Sequence, residues 1–203
     1  MRPAPPDGRL DRQLQAAHGT IAGVDEAGRG ALAGPVTVAA VVLDPAAPIA
    51  GLDDSKRLSP PRRRALAALV RIRALAFSVV HRDAAEIDRV NILEATRAAM
   101  LEAVSALAFA PGLVVSDAVA LPGLAMPVRA EVRADARYLC VAAASILAKV
   151  ARDELMVALA GEFPHYGWVA NKGYPTPAHL AALSRIGPCR LHRRSFGPVR
   201  VLA

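Results

Sequence analysis

The chain is poor in sulfur chemistry and in long apolar runs. Its two cysteines, Cys140 and Cys189, stand in unlike contexts and without metal-ligand spacing, and no His/Cys cluster appears anywhere. That excludes a disulfide scaffold and a zinc site, and the cysteines read as free thiols in a reducing cytoplasm. The alanine-rich stretch Val141–Val150 is interrupted by Ser145 and Lys149, so a buried helix is expected there rather than a membrane span. The N-terminus, Met1-Arg2-Pro3-Ala4-Pro5-Pro6-Asp7, lacks the apolar centre of a secretory signal. Residues 1–18 are expected to form a disordered tail. No repeat or low-complexity linker interrupts residues 19–201, and 203 residues suffice for one main domain, assigned to 19–203.

What is present is positive charge and a strand-then-helix order. The formal net charge is +7, which favours a polyanionic partner such as nucleic acid, although Arg62-Arg63-Arg64 also suits a solvated helix face. Short apolar or β-branched runs predict strands at Thr20–Asp25, Val36–Leu43, Ile72–His81, Leu113–Asp117 and Val128–Val132. Ser59 with Pro60 starts a helix to about Val70, and Asn91 caps another through Phe109. Leu139–Ala160 predicts a long buried helix. After Gly161 a loop-like aromatic segment (Phe163, Tyr166, Trp168, Tyr174) leads to a last helix, Pro177–Arg185. This order implies an α/β fold of three layers, a mixed β-sheet flanked by helices, with a helical C-terminal segment.

The chemistry is expected where acids follow strands. Asp25 and Glu26 end one run, Asp117 ends another, and Asp135 follows a third; sites in α/β sheets assemble at strand ends. Converging carboxylates raise one another's pKa, and hard cations with oxygen ligands relieve that, which points to Mg²⁺ or Mn²⁺. For any one of these acids alone, an N-cap or surface turn is the simpler reading. Beside the first pair, Gly28-Arg29-Gly30 offers close backbone approach and guanidinium donors, or simply a tight turn. Asp54-Ser55-Lys56-Arg57 precedes a helix and suits either a phosphate contact through Ser55 and Lys56 or a capping turn. Adjacent strand residues point to opposite faces, so for Asp25 and Glu26 to serve together a backbone turn is expected at Glu26.

The run Ile21-Ala22-Gly23-Val24-Asp25-Glu26-Ala27-Gly28-Arg29-Gly30 resembles the N-terminal signature of ribonuclease HII. Asp54-Ser55-Lys56, Asn91-Ile92-Leu93, Ala142–Val150, Lys172-Gly173-Tyr174 and His192-Arg193-Arg194-Ser195-Phe196 resemble its later blocks in the same order, from about Thr20 to Val199. The resemblance implies a ribonuclease H-like fold and a two-metal site of Asp25, Glu26, Asp117 and Asp135. It implies hydrolysis on the 5′ side of a ribonucleotide, in RNA–DNA hybrids and at single ribonucleotides in duplex DNA, leaving 3′-hydroxyl and 5′-phosphate ends. By the same resemblance Gly28, Arg29 and Gly30 sense the ribose 2′-hydroxyl, and Tyr174 packs on the sugar after the ribonucleotide. Lys56, Lys149, Lys172, Arg193 and Arg194 are candidates for backbone-phosphate contacts.

The chain departs from the family pattern at Ala31, where proline is usual, and at Ala118 and Ala134, where glycine is usual. If those glycines need positive φ, alanine costs about 1 kcal/mol or shifts the loop. Asp25, Glu26 and Asp117 are expected at one ion, Asp25 and Asp135 at the other. Two alternatives differ in kind: a non-catalytic nucleic-acid binding module, or a related carboxylate nuclease acting on DNA. Ribonuclease HIII is disfavoured because so little chain precedes Asp25. The tail Gly197–Ala203 has no paired aromatics, so no contact with a replication clamp, no obligate protein partner and a monomer are expected.

Overall fold

The computed structural model describes residues 4–202. In chain order the elements are α1 (Arg9–His18), β1 (Ile21–Ala27), β2 (Val36–Val42), α2 (Pro60–Arg73), β3 (Ala76–Arg82), α3 (Ala84–Val90), α4 (Ile92–Ser105), β4 (Leu113–Asp117), β5 (Val128–Glu131), α5 (Leu139–Glu162), α6 (Trp168–Asn171), α7 (Pro177–Ile186) and α8 (Gly197–Arg200). Single 3₁₀ turns occupy Ser55–Arg57, Ala134–Ala136 and Pro164–Tyr166.

One sheet of order β3-β2-β1-β4-β5 forms the middle layer. β1 pairs antiparallel with β2, and β2 with β3. β1 pairs parallel with β4, and β4 with β5. The mixed sheet follows from chain order: the first three strands form a meander, and two crossovers add the parallel pair. The period of two along β1 divides its side chains between layers. Ala22 and Val24 pack with Met100, Ala103 and Val104 of α4, while Ala27 joins Ala39, Val41 and the alanines of α5 on the other face. Gly23 faces α5, where an added Cβ would stand 2.2 Å from the Cys140 carbonyl carbon. Small residues on both sides thus bring α5 onto the strand that carries Asp25.

The boundaries differ from expectation in instructive ways. Arg9–His18, expected to be disordered, is helical, because Asp11 is buried and caps α5: its carboxylate accepts from Leu139 N (2.9 Å) and Cys140 N (3.0 Å). Met1–Pro3 of that predicted tail lie outside the described residues. The third strand starts at Ala76 rather than Ile72, since α2 runs on to Arg73. Ser59 stands at the N-cap of α2 but makes no side-chain capping bond. Asn91 does cap α4, accepting from Leu93 N and Glu94 N, and its φ of 73° joins α4 to the unanticipated α3. α4 stops at Ser105, short of Phe109.

Of the two alanines that stand where glycine is usual, only Ala118 takes a left-handed backbone, at φ 58°. Near Ala134 it is Arg133 that takes positive φ, 60°, so Ala134 needs no glycine. A left-handed alanine costs about 1–2 kcal/mol relative to glycine. Ala118→Gly is therefore expected to raise the melting temperature by roughly 2–4 °C for each kcal/mol recovered; an unchanged or lower melting temperature would show that the strain is absent.

Candidate active site

The acids lie near the carboxyl ends of the parallel strands β1, β4 and β5. Val24 of β1 pairs with Ser116 of β4, so Asp25 and Asp117 follow side by side on neighbouring strands. Asp117 in turn pairs with Glu131 of β5, and the 3₁₀ turn just beyond supplies Asp135. Asp117 Oδ1 accepts from Ala134 N at 2.8 Å, which ties that turn to the end of β4. The expected turn at Glu26 is not there: β1 continues to Ala27, with Glu26 in register opposite Val38. Asp25 and Glu26 leave the strand on opposite faces, and both still feel the Asp117 charge.

Burial sets the electrostatics. Asp25 is 4 % exposed. Loss of solvation, then the Glu26 and Asp117 charges, hold its carboxyl well above the ordinary carboxylate range, eased by Glu26 N–H (2.7 Å) and the Ser145 hydroxyl. Burial also raises Glu26, against the pull of Arg29, whose guanidinium lies 3.3 Å from Glu26 Oε1. Asp135 is pushed up to about 6 by burial and by the Asp54 and Asp117 charges. Lys56 is pulled down by burial but raised overall by Asp54, Asp135, Asp25 and Asp117. It is the cation that faces the whole acidic set.

Two grooves flank this cluster and share Lys56. One, of about 520 Å³, runs past Asp54, Asp117, Arg133 and Asp135. The other, of about 470 Å³, is lined by Glu26, Gly28–Gly30, Ser55, Lys149 and Tyr174 among others. Gly28 has φ 95°, and a Cβ there would meet Arg152 Nε at 1.9 Å; Gly30 has open space around it. The first glycine serves internal packing, and only the second leaves room for a ligand. Tyr174 is half-buried, with Lys149 Nζ 5.3 Å and the Arg152 guanidinium 5.2 Å from its ring centre.

The remaining basic candidates divide. Lys149 is half-buried and paired with Asp153 at 2.6 Å. Lys172 bonds back to Val169 O and takes φ 51°, lining a further groove with Arg63, Arg64 and Tyr174. Arg194 is exposed, its backbone N–H donating to Asp88. Arg193 does not reach the surface: it is 0 % exposed and its guanidinium binds Gly34 O and Arg29 O. Its expected phosphate contact is replaced by an internal one, because the C-terminal strand-like segment Leu191–Arg193 crosses beneath the loop 28–35.

As carboxylates, Asp25, Glu26, Asp117 and Asp135 form an all-oxygen donor set suited to hard divalent cations. Glu26 Oε2 is buried with no hydrogen-bond partner, which leaves one acceptor free for an ion. Among the described residues no three His, Cys, Asp or Glu side chains are already drawn together around a single point. Asp117 is held by its bond to Ala134 N. The donor chemistry of these four residues fits a hard divalent cation.

The model of the family described as ribonuclease HII matches residues 22–199. The chain belongs to the ribonuclease HII family. It is 53 % identical over 180 residues to the ribonuclease HII of Nitrosococcus oceani, covering 89 % of this chain and 90 % of that protein. Its fold is similar to the crystal structure of ribonuclease H2 from Pyrococcus horikoshii, with TM-score 0.77, 29 % identity, and coverage of 90 % and 96 % of the two chains. It is also similar to the ribonuclease HII of Archaeoglobus fulgidus solved in complex with PCNA, with TM-score 0.74, 27 % identity, and coverage of 88 % and 95 %. The fold is that of the ribonuclease H family, and the protein is an endoribonuclease of the ribonuclease H type.

Sequence reading missed two polar supports of this ribonuclease HII, Ser145 and Arg152, and the partner of a third residue, Ser55. Ser145 breaks the apolar pattern of α5 and reads there as an interruption; it stands beside Asp25 and bonds to Ser55 Oγ at 2.9 Å. Ser55, a phosphate candidate, is buried in that contact instead. Arg152 was legible only as part of a helix; it is buried and binds the carbonyls of Pro35, Ala33 and Lys172. A charged residue inside an alanine-rich buried helix is the signal that could have found it.

Proposed function

We propose that this ribonuclease HII hydrolyses the phosphodiester on the 5′ side of a ribonucleotide, in RNA–DNA hybrids and at single ribonucleotides embedded in duplex DNA. The products are a 3′-hydroxyl and a 5′-phosphate. The observation that carries the reading is the side-by-side placement of Asp25 and Asp117 at adjacent parallel strand ends, with Glu26 Oε2 buried and unpartnered beside them. Asp25, Glu26, Asp117 and Asp135 hold two divalent cations, Mg²⁺ or Mn²⁺. When bound, such a pair activates water and stabilises the leaving oxygen of an in-line displacement.

The protein's own groups orient the substrate. Gly30 leaves open space for the ribose edge, and Arg29, anchored by Glu26, presents donors toward the 2′-hydroxyl. Tyr174, held close to Lys149 and Arg152, offers its ring to the following sugar. Lys56 sits between the two grooves. It neutralises charge where a phosphate must approach carboxylates. Lys149, Lys172 and Arg194 add to the backbone-contact field, and binding should weaken steeply with salt.

No helix is long and apolar enough to cross a membrane among the described residues, and both cysteines are free thiols. We place the enzyme in the cytoplasm as a monomer without an obligate protein partner. The Archaeoglobus fulgidus relative was solved with PCNA, whereas the tail here carries no paired aromatics. Mapping the ends left on an RNA–DNA hybrid tests the reaction. Products with 3′-hydroxyl and 5′-phosphate, formed only with divalent cation, are expected; 2′,3′-cyclic phosphate products would overturn the mechanism, since they require attack by the ribose itself.

A further inference from the structure

Two fully buried arginines lie under the groove, and the cleavage chemistry uses neither. Arg152 and Arg193 are both 0 % exposed. Neither forms an ion pair with a carboxylate among the described residues. Burying a guanidinium outside any ion pair is costly, and an apolar side chain of similar volume would fill the space at lower cost. Burial and the neighbouring Arg152 charge hold Arg193 down at about 9. Such a pair persists where the donors themselves are needed.

Those donors converge on one segment. Residues 28–35 connect β1 to β2 with a single isolated bridge, Ala33 to His192, and Leu32 O accepts from Arg193 N, so the carbonyls of Arg29, Ala33, Gly34 and Pro35 depend on side-chain donors. Arg193 Nη1 donates to Arg29 O (2.9 Å) and Nε to Gly34 O (3.0 Å). Arg152 Nε donates to Pro35 O (2.8 Å) and Nη2 to Ala33 O (3.1 Å). The same Arg152 fork reaches Lys172 O through Nη1 (3.0 Å), two residues before Tyr174, and its guanidinium stacks on the Tyr174 ring. Leu32 N donates to Gly173 O (2.8 Å), closing the connection from the backbone side. A planar five-donor fork can hold several carbonyls in fixed relation; a lysine ammonium cannot.

The geometry points to Arg152 and Arg193 as positioning residues that lock the Gly28–Gly30 loop to the Tyr174 turn at a fixed spacing, and thereby set the enzyme's preference for a ribonucleotide–deoxyribonucleotide junction. This rests on the function proposed above. A junction is read at two points at once, the 2′-hydroxyl by the loop and the next sugar by Tyr174. A continuous RNA strand offers a 2′-hydroxyl at every position and no junction sugar. Spacing between the two readers therefore matters for an embedded ribonucleotide and little for a hybrid.

The test compares kcat/KM on duplex DNA with one ribonucleotide against kcat/KM on an RNA–DNA hybrid, for Arg193→Lys, Arg152→Lys and Phe196→Leu. The ratio of the two is independent of the fraction of protein that is folded. Phe196 is half-buried, and its ring supports the Arg193 guanidinium at 5.1 Å; its substitution leaves every donor in place and serves if the arginine variants do not fold. The ratio is expected to fall at least about tenfold in the lysine variants and by a smaller factor in Phe196→Leu, as misplacement of a reading group predicts. Parallel loss on both substrates, with the ratio unchanged, would overturn the inference and leave the arginines a folding role. A wild-type enzyme that cuts hybrid but spares the embedded ribonucleotide would remove the reading beneath it.

Discussion

Asp25→Asn is expected to abolish cleavage, by at least about a thousandfold in kcat/KM, while stabilising the cation-free protein. The two effects have one origin. Asp25 is buried between Glu26 and Asp117, and its carboxyl is held well above the ordinary carboxylate range. A group whose folded pKa is raised binds its proton more readily in the native than in the unfolded state. Its contribution to stability is present at low pH and is lost as pH rises toward the folded value. Above the ordinary carboxylate range the native protein carries the cost of that raised pKa, whether as buried charge or as a retained proton, and asparagine removes it. The amide still offers an oxygen to Glu26 N–H, which lies 2.7 Å from Asp25 Oδ1. Thermal melts at pH 8 with chelator should show a higher melting temperature for the variant than for the wild type. A lower one would mean that Asp25 holds the fold together rather than storing repulsion for a cation.

The second large effect is the response to metal. A cation that binds only the native state at a hundredfold excess over its Kd adds about 2.7 kcal/mol. That amounts to roughly 5–10 °C for a chain of this size, at about 2–4 °C per kcal/mol. The increment should grow with pH. Asp135 titrates at about 6, and Asp25 and Glu26 are raised as well, so protons compete with the ion below that range. Without cation, stability conferred by Asp135 declines as pH rises from the ordinary carboxylate range through about 6. Melting with Mn²⁺ or Mg²⁺ against chelator, at pH 5.5 and pH 8, is expected to give the larger shift at pH 8, and Asp25→Asn should diminish it. Equal melting temperatures with and without cation at both pH values would contradict a carboxylate-bound metal centre.

How much of this was legible in the sequence varies with the range of the interaction. Acids closing short apolar runs placed Asp25 and Asp117 at strand ends, because strand, turn and carboxylate are all local signals. The parallel pairing that sets them side by side is a tertiary fact, and the period of two even suggested a turn at Glu26 that the regular β1–β2 register does not make. Glu26 leaves β1 on the face opposite Asp25, one residue before the strand ends at Ala27. α1 was hidden because a ten-residue helix is marginal alone and is fixed by Asp11 capping a helix 128 residues away in sequence. Arg193 was read as a phosphate contact since arginine is usually exposed; its carbonyl partners lie 159 and 164 residues away. Asn91, by contrast, was read correctly as a cap because its bonds reach only two and three residues ahead.

The central claim is a metal-dependent cut specified by one ribose. It is tested most directly by incubating duplex DNA carrying a single ribonucleotide with the protein in Mg²⁺, Mn²⁺ or chelator, beside an all-DNA duplex. Scission on the 5′ side of the ribonucleotide, with either cation and not with chelator, and an intact all-DNA control are the predicted result. Tight binding without scission, or cutting of the all-DNA duplex, would contradict it.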